Sequence, residues 1–186
     1  MERYLIHLKN EKHVPINSRE ILYRARDLIS EMNAHIRLAR IATAFIEFDV
    51  AIETKDVDIL VEKLSPIGDL DNIRHVVEEE IEMDQGIKDG IFYFNNERFW
   101  ECHEILEGVW KNCDGNEKFL VQGLILVAAG LVHYQKDEDP ICLSIFNRAL
   151  EKLENSDGQY HNIDIDKIKK TVSEMINSQN VSSFLI

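Results

Sequence analysis

Between residues 99 and 110 the chain reads Phe-Trp-Glu-Cys-His-Glu-Ile-Leu-Glu-Gly-Val-Trp. At helical spacing Phe99, His103, Leu106 and Trp110 share one face, because they stand three or four residues apart. His103 therefore sits on an apolar stripe. Glu107 lies one turn further on and reaches the same volume, while Glu104 is rotated away by about 100°. A second stripe follows, with Gln122, Leu126, Ala129 and His133 at spacings of four, three and four. The small residues Gly123, Ala128, Ala129 and Gly130 permit a neighbouring helix to pack closely. If the two helices run antiparallel, His103 and Glu107 face some of Gln122 and His133.

Three kinds of chemistry suit such a cluster. As structure, Glu107 fixes the tautomer of an imidazole and every polar group is hydrogen-bonded inside the bundle. As a metal centre, His103, Glu107 and His133 hold zinc, iron or manganese with water in an open position. The spacing His-Glu-x-x-Glu is neither the His-Glu-x-x-His of zinc proteases nor the Glu-x-x-His of di-iron bundles. As a metal-free catalyst, His103 acts as a general base oriented by Glu107 or Glu104. The candidate catalytic residues are thus His103, Glu104, Glu107 and His133, and no serine, threonine or cysteine stands out as a nucleophile. Cys102 adjoins His103 and so points to a different side.

Composition narrows the field. The 186 residues carry 21 Lys and Arg against 34 Asp and Glu, a formal net charge of -13, which repels nucleic-acid phosphates. Residues 1–40 are the exception: eight basic against five acidic residues leave that segment at +3. Arg19, Arg24, Arg26, Arg37 and Arg40 make it the place for any RNA contact, although the aromatic signatures of the common sheet-type RNA binders are missing. The bland alternative is a solvated, salt-bridged helix face. Three cysteines, none in a CxxC pair, argue against a disulfide framework or zinc knuckle. Cys102 and Cys142 are expected to be buried and Cys113, in a turn-like stretch, to be exposed. Gly86 and Gly90 make no phosphate-binding loop, so no nucleotide cofactor is expected. Glu78-Glu79-Glu80 reads as a solvated run rather than an ion site. The start of the chain shows no secretory signal. The apolar stretch Leu120–Leu131 is short for a membrane span and contains Gln122. The expected compartment is the cytoplasm.

The elements that must position these residues follow from periodicity. Residues 3–8 read as a strand. Ser18 is an N-cap for a helix running to about Met32, with an apolar stripe of Ile21, Leu22, Ala25, Leu28, Ile29 and Met32. A strand marked by Ile36, Leu38 and Ala39 and another over Ile46–Glu53 follow, with a hairpin at Ala42–Ala44. In the second strand Glu47, Asp49, Ala51 and Glu53 alternate with apolar residues, the pattern of a half-buried strand. A short helix spans Asp56–Leu64, ended by Pro66 and Gly68, and a last strand runs from Asn72 to near Glu78. The polar stretch Glu78–Gly90 is a linker or a short helix. Helices are then expected at about Asn95–Lys111, Glu117–Gln135, Pro140–Leu153 and Asp164–Ser178, with an apolar tail at Val181–Ile186 that docks on the body or on a partner.

The motif Phe94-Asn95…Phe99-Trp100-Glu101-Cys102-His103-Glu104…Glu107…Trp110, followed by Gln122-Gly123-Leu124-Ile125…Ala128-Ala129…His133, resembles the domain-of-unknown-function family 309. The resemblance covers roughly residues 90–155. It implies a small all-helical fold and no particular activity. The family pattern carries His103, Glu104, Glu107, Trp110, Gln122 and His133 in these places. This chain departs from it at Leu126, where the family has glutamine, and at Lys136–Pro140, where it has an Asn and a Gly-Ala.

The fold class is therefore α+β: an N-terminal ferredoxin-like βαββαβ module over residues 1–80, then a C-terminal antiparallel helical bundle over 90–178 with a tail at 179–186. The expected role is a non-enzymatic association or small-ligand-binding module, acting as a homodimer without nucleic acid or membrane, and with no resident cofactor. The rivals are a metal-dependent, hydrolase-like enzyme using His103, Glu107 and His133 with a divalent metal, and an RNA-binding protein using the Arg-rich start.

Overall fold

The computed structural model describes residues 1–77 and 81–186. The expectation for Glu78-Glu79-Glu80 lies outside the described residues. The chain divides into two compact units, Met1–Glu79 with Gln135–Asp137, and Glu80–Tyr134 with Glu138–Ile186.

The first unit contains β1 (Glu2–Lys9), α1 (Ser18–Leu28), β2 (His35–Ile41), β3 (Phe45–Ile52), α2 (Val57–Leu64) and β4 (Leu70–His75). The strands form an antiparallel sheet in the order β2-β3-β1-β4. Alternate residues define its core face: Tyr4, Ile6 and Leu8 of β1 and Ile46, Phe48, Val50 and Ile52 of β3. Ile21 and Ala25 of α1 and Val57, Leu60 and Leu64 of α2 belong to the same core. Each fully buried aliphatic side chain here contributes roughly 1.5–3 kcal/mol.

Four local features differ from expectation or explain it. Helix α1 ends at Leu28, not Met32, because the Ser30 and Met32 amides turn to the carbonyls of Asp27 and Ile29. Ser18 is not the cap: Asn17 holds that place, and the Ser18 hydroxyl donates to the Lys136 carbonyl at 3.0 Å. The hairpin at Ala42–Ala44 needs neither Gly nor Asn, because Asn10 braces it from outside. The Asn10 side chain donates to the Ala42 carbonyl at 2.7 Å and its amide to the Ala44 carbonyl at 2.9 Å. Strand β3 is not half-buried; all eight of its residues are buried. Its second face carries Phe45, Glu47, Asp49 and Ala51, with charges matched across the sheet.

The second unit holds α3 (Met83–Asn95), α4 (Phe99–Trp110), α5 (Gly115–Tyr134), α6 (Asp139–Lys152), a two-residue-stranded hairpin β5 (Gln159–Tyr160) and β6 (Ile163–Asp164), and α7 (Ile165–Ser178). Helix α3 bears out the helical alternative for the stretch Glu78–Gly90 from Met83 onward and runs on to Asn95. Gly86 and Gly90 do not break it. They let it approach α4: a Cβ added at Gly86 would stand 2.6 Å from Val109 Cγ2, and one at Gly90 2.9 Å from Leu106 Cδ2. Gly123 and Gly130 do the same for α5 and α6, where added Cβ atoms would meet Leu153 at 2.5 Å and Phe146 at 2.6 Å. By length and composition α5 is apolar enough to cross a bilayer. In this fold it packs against both α4 and α6 and buries Val121, Leu124, Val127, Ala128 and Leu131. The apolar tail docks on its own unit. Val181 is buried in the core, the Phe184 ring lies 5.2 Å from that of Phe94, and Asn95 exchanges two hydrogen bonds with the Ile186 backbone.

Candidate functional site

Helix α4 begins with an ion pair one turn long, Arg98 to Glu101, which lets Glu101 lie fully buried beside Cys102. Its buried face is completed by Phe99, Ile105, Leu106 and Val109. His103 falls at the margin of that face, with its side chain 24% exposed. The imidazole is flanked by two carboxylates of its own helix. Nδ1 stands 3.4 Å from Glu104 Oε1, and Nε2 stands 3.6 Å from Glu107 Oε1. Both distances exceed hydrogen-bonding range. Nδ1 is buried and has no hydrogen-bond partner among the described residues, as is true of the Trp110 indole nitrogen further along the same helix. Lys118 caps the Trp110 ring, with Nζ 4.6 Å from its centroid.

The potential ligand atoms of His103, Glu104 and Glu107 lie within 4.8 Å of one another. Glu104 thus joins the group despite its rotation on the helix, because its long side chain reaches back. His133 is not part of the group. Its Nδ1 pairs instead with Glu138 Oε2 at 2.6 Å, just past the end of α5. Helix geometry explains this. The connection from Trp110 to Gly115 spans only residues 111–114, so α5 folds straight back and His103 comes level with about Gln122. His133 is then eleven residues, about 16 Å, further along the axis.

Sequence reasoning missed a second charged constellation, which lies in the sheet unit. The register pairs Glu47 with His7 on one side and with Arg40 on the other. The three side chains form a row across β1, β3 and β2, and each is at most 2% exposed. His7 Nε2 lies 2.8 Å from Glu47 Oε2, and Arg40 pairs with Glu47 Oε1. Burial alone would raise the Glu47 pKa. The Arg40 charge and the hydrogen bond to His7 overcome it and hold the carboxyl at about 2. Beside this row Asp49 accepts two hydrogen bonds from Arg3, at 3.1 and 2.6 Å, and faces Arg37 at 3.6 Å. The signal available in sequence was Leu5 and Phe45: both are large apolar residues placed by alternation on the supposedly solvated face.

These contacts also account for most of the basic N-terminal segment. Arg40 is a core residue. Arg24 donates to the Pro66 carbonyl, and Arg26 to the carbonyls of Ile36 and Arg37. The cysteines are all buried, including Cys113, which donates to the Val109 carbonyl at 3.4 Å instead of being exposed. Burial pushes the thiols of Cys102 and Cys113 up, and that of Cys142 to about 12.

A family model described as a domain of unknown function, DUF309, matches residues 87–144. That stretch runs from within α3 into α6 and contains His103, Glu104, Glu107, Trp110, Gln122 and His133. The chain is also similar to a conserved hypothetical protein from Thermus thermophilus, known from its crystal structure. Identity is 24%, over 49% of this chain and 95% of that one, with a TM-score of 0.43. No curated protein matches.

Proposed function

We propose that the protein is a non-enzymatic binding module that takes a small polar ligand on the half-exposed side of α4, around His103, Glu104 and Glu107. One observation carries this reading: His103 keeps a buried nitrogen without a hydrogen bond while two carboxylates stand just out of reach. A polar cluster that served structure alone would close those contacts, because an unsatisfied buried nitrogen costs about 1–3 kcal/mol. Glu104 and Glu107, with side chains 41% and 51% exposed, leave the group open to a ligand from solvent.

Two features favour binding over catalysis. Cys102, the thiol nearest in sequence, is held far from the thiolate state by burial. His133, a required ligand in the hydrolase-like scheme, is engaged by Glu138. The RNA reading is weakened because Arg24, Arg26, Arg37 and Arg40 are committed to carbonyls and carboxylates. The proposal includes self-association as a homodimer in the cytoplasm. Sedimentation of the full chain tests the dimer directly.

The ligand reading is tested by thermal melts of the full chain and of His103→Ala against a panel of divalent cations, inorganic phosphate and small carboxylates. Saturation at a hundredfold over Kd adds about 2.7 kcal/mol, several degrees for a chain of this size. At least one panel member should raise the melting temperature of the parent and not of the variant. No shift in the parent, or equal shifts in both, overturns the reading.

A further inference from the structure

We infer that the outer edge of β4 pairs antiparallel with the same edge of a second copy of this chain, joining two sheets across a two-fold axis at Ile73. The inference rests on the self-association part of the proposed function and names its surface. The order β2-β3-β1-β4 gives the sheet two edges. The chain covers the first. The Arg26 side chain donates to the carbonyls of Ile36 and Arg37 in β2, and the Ile41 amide donates to the Gln135 carbonyl at 2.9 Å. The second edge, β4, is open, and an open edge is a template for another strand.

The ladder shows which backbone groups of β4 face outward. The Val76 amide donates to the Arg3 carbonyl at 2.9 Å, so Arg3 and Val76 are a hydrogen-bonded pair. Bonded and non-bonded pairs alternate along an antiparallel ladder. Tyr4 with His75 and Ile6 with Ile73 are therefore non-bonded pairs. The N–H and C=O groups of Ile73 and His75 point away from β1, and among the described residues no backbone group meets them.

Charge then selects the register. The outward groups of two antiparallel copies meet only when the axis passes through a residue. An axis at Arg74 sets Arg74 against Arg74, and like charges directly opposite are destabilising. An axis at His75 uses only the end of the strand, and one at Asn72 sets Asp71 against Ile73. An axis at Ile73 sets Ile73 against Ile73, Asn72 against Arg74, and Asp71 of each copy against His75 of the other. The middle contact is apolar, and Ile73 already packs on the core of its own sheet. The flanking contacts join an acid to an imidazole. The His75 ring is held for this role, stacked on Tyr4 at 4.6 Å with Nε2 2.7 Å from Glu2, which leaves Nδ1 for Asp71. The irregularity in the β1–β4 ladder between His7 and Leu8 ends regular pairing near Asp71.

The test combines sedimentation of the full chain, from micromolar to millimolar concentration, with two single-cysteine variants under mild oxidation. The native cysteines are buried, so the introduced thiol is the one that reacts. At an axis through Ile73 the two Cα atoms stand about 5.5 Å apart, within disulfide range. Ile73→Cys should therefore cross-link. Leu70→Cys should not, because the two copies of that position lie about 20 Å apart along the strands. The parent should be a concentration-dependent dimer. Ile73→Pro removes no bond to β1, since that amide points outward, and should weaken the dimer roughly tenfold or more at parental circular dichroism. If Ile73→Pro does not fold, the cysteine pair decides alone. A parent that stays monomeric overturns both the dimer and the inference, including the case in which the edge takes an extended peptide of another protein. A dimer with no cross-link at Ile73→Cys, or with equal cross-linking at Leu70→Cys, overturns the inference and leaves self-association standing through another surface.

Discussion

Glu47 keeps its charge in the middle of a sheet because two neighbours on separate strands supply it with donors. Its folded pKa of about 2 lies below the ordinary carboxylate value near 4.5. The stabilisation from this shift is therefore complete above pH 4.5 and is lost as pH falls through that value toward 2. Urea melts near neutral pH and near pH 3 should differ by about 2 kcal/mol from this group, and Glu47→Gln should flatten that part of the profile. Arg40→Met leaves a buried carboxylate without its main counter-charge and should cost about 3–5 kcal/mol. Arg37→Met, at a side chain 45% exposed, should cost under about 1 kcal/mol. The two measurements separate a core arginine from a surface one. In the sequence these two arginines look alike, three residues apart in a basic segment. What distinguishes them is the register of β2 against β3, which no local pattern encodes. The His103–Glu107 pair was legible for the opposite reason: both residues ride on one helix, so spacing alone places them together.

At the scale of elements, periodicity carries far where a segment has one wet face and fails where it has none. The stripes of α1, α2 and α7 and the alternation of β1 and β3 are visible in the chain. The burial of both faces of β3 is not, since its polar residues suggest solvent until their partners are known. Helix α3 is left open in the sequence, where Glu78–Gly90 reads as a linker or a short helix, and Gly86 and Gly90 serve as its contact points against Val109 and Leu106. Glycine in these helices trades propensity for proximity. Gly123→Ala would gain about 0.8–1.0 kcal/mol of helix propensity yet place a Cβ 2.5 Å from Leu153 Cγ. The net effect should be destabilisation of about 1–3 kcal/mol, and a double change to Gly123→Ala with Leu153→Ala should recover part of it. A Gly123→Ala variant as stable as the parent would show that α5 and α6 are not packed this closely.

Across the whole molecule, the two units have different legibility and different chemistry. The order of elements in the sheet unit follows from the alternation of strand and helix patterns, yet its charged row depends on the pairing of His7 with Glu47, 40 positions apart. The helical unit carries the family match and the unsatisfied imidazole, and its tail is folded back onto α3 rather than left for a partner. The expected pairing of His103 with His133 needed two helix positions about 16 Å apart along the axis to meet. What α4 assembles by itself, His103 with Glu104 and Glu107, is smaller and more open, and suits reversible capture of a small polar ligand, as proposed, better than an enclosed catalytic centre. The imidazole resonances of His103, followed while divalent cations, phosphate and small carboxylates are titrated into the full chain, provide the most direct test. At least one panel member is expected to move them to saturation, and Glu107→Gln is expected to weaken that response. His103 resonances that stay still throughout the panel, or that respond equally in Glu107→Gln, would contradict ligand capture by α4.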